Sequence, residues 1–254
     1  MRIDLNADLG ESFGASTLGH EAALMPHITS ANVACGFHAG DPGVMRSTVS
    51  LARRHGVAIG AHPSFPDLPG FGRREMKLAP QDVEDLVTYQ IGALAAIATV
   101  QGMRLQHVKP HGALFNMAAA DAELAGAIAR AVAAVDRSLI LFGLSGSELV
   151  RAARRAGLRS ASEAFADRAY QPDGRLVSRS LPGAVIHDPV IAVDRALRMV
   201  REQRVVAVDG TSVALEVDTI CVHGDTPAAV ELVSQIRRAL VDEGIEVRAI
   251  GSAD

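Results

Sequence analysis

Residues 29–42 read TSANVACGFHAGDP and carry the pattern that decides the fold. The apolar run at 30–34 predicts a buried strand, and two glycines, His38 and Asp41 follow it. Asp41 before a proline predicts a helix start, because Asp accepts hydrogen bonds from free N–H groups and Pro fits the first helical position. A strand that brings Asn32 and His38 towards its carboxyl end is typical of the working edge of an α/β enzyme.

The same strand-then-helix plan repeats along the chain. Strands are predicted at 1–5, 30–34, 57–61, 105–108, 138–142, 158–164 and 218–222, and the main helices at 18–25, 42–55, from 80, 121–135, from 189 and from 227. Ser145 and Glu148 form a capping-box pattern for a further helix. Asp209-Gly210 predicts a hairpin between 204–208 and 212–217, added at the rim of the fold.

The alternation continues without a linker or a change in composition, which predicts one domain over residues 1–254. A doubly wound sheet would also alternate, but polar residues at nearly every strand end favour a closed ring around one site. The sequence therefore predicts an α/β fold, a single-domain (β/α) barrel-like structure that is seven-stranded and irregular. The length of 254 residues agrees with this architecture.

Composition narrows the classes of function. The net charge is −4 and no basic block occurs, which argues against a nucleic-acid partner. The first residues, MRIDLNADLGES, include Asp4 and Asp8 and contain no long apolar run. We expect no secretory signal and no membrane-spanning segment, hence a cytoplasmic protein whose Cys35 and Cys221 are reduced thiols.

Polar side chains follow the predicted strands and form a candidate site. The candidates are Asn6, Asp8 and Glu11; Asn32, His38 and Asp41; His62; Lys109 and His111; Glu163 and Arg168; and His223 and Asp225. Asp41 is interpreted as a helix cap rather than a functional group. His55 and His107 fall inside element patterns and are interpreted as structural.

Two kinds of chemistry fit these residue types. Carboxylates and histidines act as general acids and bases, while Lys109 or Arg168 holds an anionic group. Alternatively, Asp8, His38 and His62 bind a divalent metal that activates water. The phosphate-binding patterns GxxxxGK[ST] and GxGxxG are missing. The arginines of GFGRR, residues 70–74, offer a phosphate contact within a long loop, which is equally typical of a lid.

Six long motifs resemble the LamB/YcsF family, the family of the A subunits of prokaryotic 5-oxoprolinases. They are IDLNADLGESFG (3–14), SANVACGFHAGDPGVM (30–45), VAIGAHPSFPDLPGFGRR (57–74), LQHVKPHGALFNMA (105–118), FADRAYQPDGRLVSR (165–179) and DTICVHGDTP (218–227). The resemblance spans nearly the whole chain. It implies a barrel of the glycoside hydrolase/deacetylase type and hydrolysis of 5-oxo-L-proline to L-glutamate, with ATP converted to ADP and phosphate. It also implies ATP with Mg²⁺ as cofactor, and subunits B and C as partners.

The implied reaction suggests roles for the strand-end residues. Lys109 and Arg168 neutralise the substrate carboxylate or a phosphate, while Asp8 or Glu11 and His38 move protons. The further catalytic candidates are His111 and Glu163; the substrate-binding candidates are Asn6, Asn32, His62, Arg168, His223 and Asp225. Two alternatives remain open, a metal-dependent deacetylase-like hydrolase that acts alone and a non-catalytic subunit that binds substrate.

Overall fold

The computed structural model describes residues 1–14, 20–222 and 227–251. Seven of its strands are β1 (Arg2–Leu9), β2 (Ser30–Ala34), β3 (Ala58–His62), β4 (Leu105–Val108), β5 (Ile140–Leu144), β6 (Arg159–Phe165) and β9 (Thr219–Cys221). They form a closed parallel barrel in the order β1-β2-β3-β4-β5-β6-β9, which β1 closes by pairing with β9. The predicted seven-stranded (β/α) barrel is confirmed.

Helices surround the barrel. They are α1 (Glu21–Leu24), α2 (Pro42–His55), α3 (Pro80–Val100), α4 (Gly112–Ala118), α5 (Ala122–Val135), α6 (Glu148–Arg155), α7 (Pro189–Glu202) and α8 (Pro227–Asp242). A 3₁₀ turn (Met25–His27) follows α1. The predicted hairpin is present as β7 (Arg204–Val206) and β8 (Ser212–Ala214), and β10 (Glu246–Val247) extends the sheet beside the start of β1.

Helix caps follow the expected chemistry with one correction. Asp41 accepts hydrogen bonds from the N–H groups of Gly43 and Val44, which confirms it as the cap of α2. Ser145 does not cap α6, because that cap is Ser147, which accepts from the N–H of Val150. The Ser145 hydroxyl instead accepts from the N–H of Glu216.

The first strand is longer than predicted, and this changes where the site residues lie. Asn6 and Asp8 belong to β1 rather than to the loop after it. Alternate residues of a strand face opposite sides, so Asp4, Asn6 and Asp8 share the interior face, while Leu5 and Ala7 belong to the apolar core. A polar interior face lacks the apolar run that predicts a buried strand, so the sequence pattern alone ends this strand at residue 5.

The barrel interior is divided between polar and apolar parts. Towards the amino ends of the strands, the Asp4 carboxylate accepts from the hydroxyls of Thr29, Ser30 and Thr219. A small apolar cluster on β5 and β6 is formed by Ile140, Phe142 and Ala161 and packs against Ile250. The polar part continues towards the carboxyl ends and becomes the candidate site.

The helix α3 is the only helix in the described ranges that is long and apolar enough to cross a membrane. Its buried residues include Val83, Val87, Ile91 and Leu94, and it packs against α5, α2 and β3. A helix that covers a barrel needs such an apolar face, so packing on the barrel accounts for its composition.

The ring of His107 occupies the space next to Gly60 on the neighbouring strand β3. It stacks on Phe142, with ring centroids 4.3 Å apart. A Cβ atom at Gly60 would overlap the His107 ring, so only glycine fits at this position. The structural interpretation of His107 is therefore supported by close packing in the middle of the barrel.

We expect Gly60→Ala to lower the free energy of unfolding by about 1–3 kcal/mol, because the new methyl group overpacks the interior. The matched control is Gly92→Ala on α3, where a Cβ would meet open space. That change should raise stability by about 1 kcal/mol, since Ala is the better helix former. Urea unfolding of both variants measures the difference, and equal stability of Gly60→Ala and wild type would contradict the packing described.

Candidate active site

The buried ammonium group of Lys109 lies at the centre of the site. Its Nζ is 2.9 Å from Asp8 Oδ1 and 2.9 Å from Glu163 Oε1. It also lies 3.2 Å from Asn6 Oδ1 and 3.0 Å from Cys221 Sγ. Lys109 is only 2% exposed, so its charge requires these partners. Four strand ends, those of β4, β1, β6 and β9, are therefore held by one cation.

An amide network fixes the carboxylates around Lys109. The Asn6 Nδ2 group donates to Glu163 Oε1 at 3.0 Å and to Thr219 Oγ1 at 2.7 Å. The Asn32 Nδ2 group donates to Asn6 Oδ1 and to Asp8 Oδ1 at 2.7 and 2.8 Å. Asn32 Oδ1 accepts from His107 Nε2 at 2.8 Å. Asp8 is thus oriented by both an amide and an ammonium group.

Three histidines and Glu11 form a second group beside Asp8. His62 Nε2 lies 3.0 Å from His111 Nδ1 and 3.4 Å from Asp8 Oδ2. Glu11 Oε1 lies 3.6 Å from His38 Nε2 and 3.7 Å from His111 Nδ1. The rings of His38 and His111 stack with centroids 3.9 Å apart. Glu11, His38, His62 and His111 thus constitute a cluster able to hold a metal ion.

The loop between β3 and α3 shapes the histidine group. Phe71 has a left-handed backbone, with φ of 54°, and its carbonyl accepts from His111 Nε2 at 2.9 Å. A Cβ at Gly72 would overlap Ser64 and crowd His38, so the loop approaches the site through a glycine. Arg74 forms an ion pair with Asp67 inside the loop, and this pairing fixes the loop's shape.

Burial sets the charge of these groups. It lowers the pKa of His38 and of His111 well below the ordinary value, and the pKa of His107 is lowered to about 3, so all three rings are neutral at pH 7. Burial also lowers the pKa of Lys109, but the neighbouring Asp8, Cys221 and Glu163 outweigh burial and hold that pKa well above its usual value. Burial raises the pKa of Glu163, and Lys109 opposes the rise.

A cavity of about 360 Å³ opens at the carboxyl ends of the strands. Its lining includes Asp8, Glu11, His62, Lys109 and His111, and the arginines Arg73, Arg168, Arg175 and Arg179. Arg168 is 4% exposed and donates to the carbonyls of Val177 and Ala184. Burial and then the charge of Arg179 lower the pKa of Arg168 to about 10, which leaves the guanidinium charged at pH 7. This lining suits a small anionic molecule.

The structure places most of the sequence-based candidates at this one site. Asn6, Asn32, His38 and Glu163 lie beneath the cavity wall, fully buried, whereas Asp8, Glu11, His62, Lys109, His111 and Arg168 line the cavity. Asn6 and Asn32 therefore support their neighbours rather than reach the cavity directly. His223 and Asp225 lie outside the described residues.

Sequence reasoning missed two contacts. Cys221 was interpreted only as a reduced thiol, yet its Sγ is a partner of Lys109. His107 was interpreted as structural, which agrees with its packing, but its bond to Asn32 also links it to Asp8. Side chains alternate between the two faces of each strand, so those on the interior faces of β1, β4 and β9 meet inside the barrel. This alternation is the signal in the sequence for both contacts.

The architecture defines the class of protein. A closed parallel barrel with carboxylates, histidines and a lysine at the carboxyl ends of its strands has the arrangement of a (β/α)-barrel enzyme. The chain is similar in fold to the catalytic domain of a peptidoglycan N-acetylglucosamine deacetylase from Eubacterium rectale, with a TM-score of 0.51 and 12% identity over 99% of this chain and 90% of that one. At this identity the likeness concerns the fold alone.

Within that class the chain belongs to the LamB/YcsF family, whose model matches residues 3–254. It is 59% identical over 247 residues to a protein from Geobacillus kaustophilus that is named as the A subunit of 5-oxoprolinase, covering 97% of this chain and 96% of the relative. It is also similar to the crystal structure of a lactam utilization protein from Thermus thermophilus, with 53% identity, a TM-score of 0.93 and coverage of 98% and 100%.

We expect Lys109→Met to lower the free energy of unfolding by about 3–5 kcal/mol, because it leaves buried carboxylates without their cation. The pKa of Glu163, already raised from 4.5, should rise further in the folded variant. The folded state then binds a proton that the unfolded state releases, so the variant loses stability as the pH rises above about 4.5.

Urea unfolding of Lys109→Met at about pH 5 and about pH 8 measures this loss. The control is Lys77→Met, which removes an exposed lysine and should follow the wild-type pH dependence. A loss of stability in Lys109→Met that does not grow with pH would contradict the proposed countercharge.

Proposed function

We propose that this chain hydrolyses the amide bond of a five-membered lactam, 5-oxo-L-proline, as one component of an ATP-dependent 5-oxoprolinase. The observation that carries the proposal is the 59% identity, over nearly all of both chains, to a protein named as the A subunit of 5-oxoprolinase. The likeness to a lactam utilization protein from Thermus thermophilus supports the same substrate class.

The cavity suits the substrate. 5-Oxoproline is a compact ring that carries one carboxylate and one amide carbonyl, and the cavity of about 360 Å³ has room for it. The charged guanidinium of Arg168 is suited to binding the carboxylate, and a phosphate carried by an activated lactam would find further cations in Arg73 and Arg179. Lys109 neutralises negative charge that develops on the carbonyl oxygen.

The hydrolysis needs a base, an electrophilic carbon and a protonated leaving nitrogen. In our proposal the Asp8 carboxylate takes a proton from water as the water oxygen bonds to the lactam carbon. The carbon–nitrogen bond then breaks, and the nitrogen takes a proton to give the amine of L-glutamate. The proton that Asp8 takes from water is available for this nitrogen, and His62 Nε2 lies 3.4 Å from Asp8 Oδ2.

Asn6, Asn32, His38 and Glu163 act in this proposal as positioning groups. They are buried under the cavity wall and hold Asp8, Lys109 and Glu11 through the contacts described above. His111 completes the wall, where its Nδ1 lies 3.0 Å from His62 Nε2. The roles of His223 and Asp225 as substrate-binding residues remain sequence-based predictions.

ATP, with Mg²⁺, is proposed as the co-substrate of the assembled enzyme. Phosphorylation of the lactam oxygen would make its carbon more electrophilic. Attack of water and cleavage of the carbon–nitrogen bond would then leave an acyl phosphate, which a second water hydrolyses to L-glutamate and phosphate. The relatives are named as one lettered component of 5-oxoprolinase, which supports assembly with other chains, and for these we propose subunits B and C. We propose the cytoplasm, where ATP is available, as the compartment.

We expect Asp8→Asn to lower the turnover number of the assembled complex by about 10²–10⁴-fold, because the amide cannot accept a proton. The control is Asp85→Asn, on the exposed face of α3, which should leave turnover unchanged. Release of glutamate and of phosphate is measured for this chain alone, for the partners alone and for the mixture. Assembly of each variant is checked by size-exclusion chromatography.

The outcomes separate the alternatives. Turnover only in the mixture, lost in Asp8→Asn, supports the proposal. Near-normal turnover with Asp8→Asn in an intact complex contradicts the assignment of Asp8 and favours a non-catalytic role for this chain. Deacetylation by this chain alone, without lactam hydrolysis in the mixture, would contradict the proposed substrate.

A further inference from the structure

The hydrogen bonds of two buried histidines fix which of their nitrogens carries a proton. His62 Nδ1 lies 2.6 Å from the carbonyl oxygen of Lys109, and His111 Nε2 lies 2.9 Å from that of Phe71. A carbonyl oxygen only accepts, so each of these nitrogens is the N–H donor. In the neutral form of either ring, the other nitrogen, His62 Nε2 or His111 Nδ1, therefore carries a lone pair.

These two lone pairs face one another at 3.0 Å. Two acceptors at this distance repel each other unless a cation or an added proton lies between or beside them. The backbone carbonyls also hold both rings in the orientation seen for metal-bound histidines, whose second nitrogen usually donates to a carbonyl or a carboxylate.

His38 gives an independent indication of a ligand. It is fully buried, and neither of its ring nitrogens has a hydrogen-bond partner within the described ranges. A buried polar group without a partner costs free energy, so such a group calls for a functional explanation. His38 Nε2 faces Glu11 Oε1 at 3.6 Å, on the same side as the lone pair of His111, which is 3.7 Å from that oxygen.

We propose that Glu11, His38, His62 and His111 bind one divalent transition-metal ion of the zinc type. Their donor atoms all lie within 4.8 Å of one another. Ligands of a tetrahedral zinc ion lie roughly 3.3 Å apart, and the separations of 3.0, 3.6 and 3.7 Å fall around that value. Three imidazole nitrogens and one carboxylate select Zn²⁺ or Co²⁺ over Mg²⁺ or Ca²⁺.

This ligand set differs from the trio Asp8, His38 and His62 that the sequence predicts. Asp8 Oδ1 already accepts from Lys109 and Asn32, whereas Glu11 faces both His38 and His111. Asp8 thus remains beside the metal ligands as the proposed base. An ion at this place, on the wall of the cavity, supplies polarisation of a carbonyl or acidification of water. The metal site thus adds a source of activation to the proposed lactam hydrolysis, and this role rests on the proposed function.

The test measures metal binding directly on the full chain. Protein dialysed against a chelator is titrated with Co²⁺, followed by visible absorption, and with Zn²⁺, followed by calorimetry. We expect one ion per chain and a rise in Tm on binding. Glu11→Gln and His38→Gln should each weaken binding at least about tenfold, since even outer-shell changes do so. The control is His55→Gln, an exposed histidine on α2, which should bind as wild type.

Absence of binding by the wild-type chain would overturn the metal site and leave a proton shared by His62 and His111 as the explanation of their contact. Binding that is unchanged in Glu11→Gln and His38→Gln would also overturn it; Glu11 is at the cavity wall, so its variant tests the site even if His38→Gln fails to fold. Lactam turnover by a chain that binds no ion overturns the metal site alone. Binding without turnover in the complex contradicts the proposed function alone.

Discussion

The burial of one ammonium group is the constraint on which the interior of this barrel depends. An isolated charge cannot be taken out of water without large cost, so Lys109 requires Asp8 and Glu163 at hydrogen-bonding distance. Asn6 and Asn32 in turn donate to the same carboxylate oxygens that face Lys109, Glu163 Oε1 and Asp8 Oδ1. Part of a barrel interior that branched apolar side chains usually fill is occupied here by a connected polar network.

The outer wall of the site depends on a different feature, the close approach of a loop backbone to the histidines. Gly72 lets the loop after β3 reach His38 and Ser64, and the carbonyl of Phe71 then meets His111. The loop predicted as a lid or phosphate contact therefore acts, in its central turn, as part of the histidine support. Arg74 forms an ion pair with Asp67 inside the loop, whereas the neighbouring Arg73 lines the cavity.

Periodicity and turn chemistry in the sequence are sufficient to predict the barrel, its strand number, the hairpin and the Asp41 cap. They are not sufficient to predict where β1 ends, since Asn6 and Asp8 look like loop residues until the polar interior is known. The short helix α4, beginning at Gly112, has too few turns to show a period. Strand ends indicated which residues would meet, but the pairing of Lys109 with Cys221 depends on barrel closure, which local pattern does not contain.

The apolar cluster on β5 and β6 has a consequence for how ligands reach the barrel interior. Ile140, Phe142 and Ala161 pack together with Ile250 and offer no polar side chain to a solute. The cavity described above opens at the carboxyl ends of the strands, where Arg168 is among its lining residues, so a ligand approaches the polar network from that end. Product released into this cavity therefore leaves on the same side of the barrel as that from which the substrate enters.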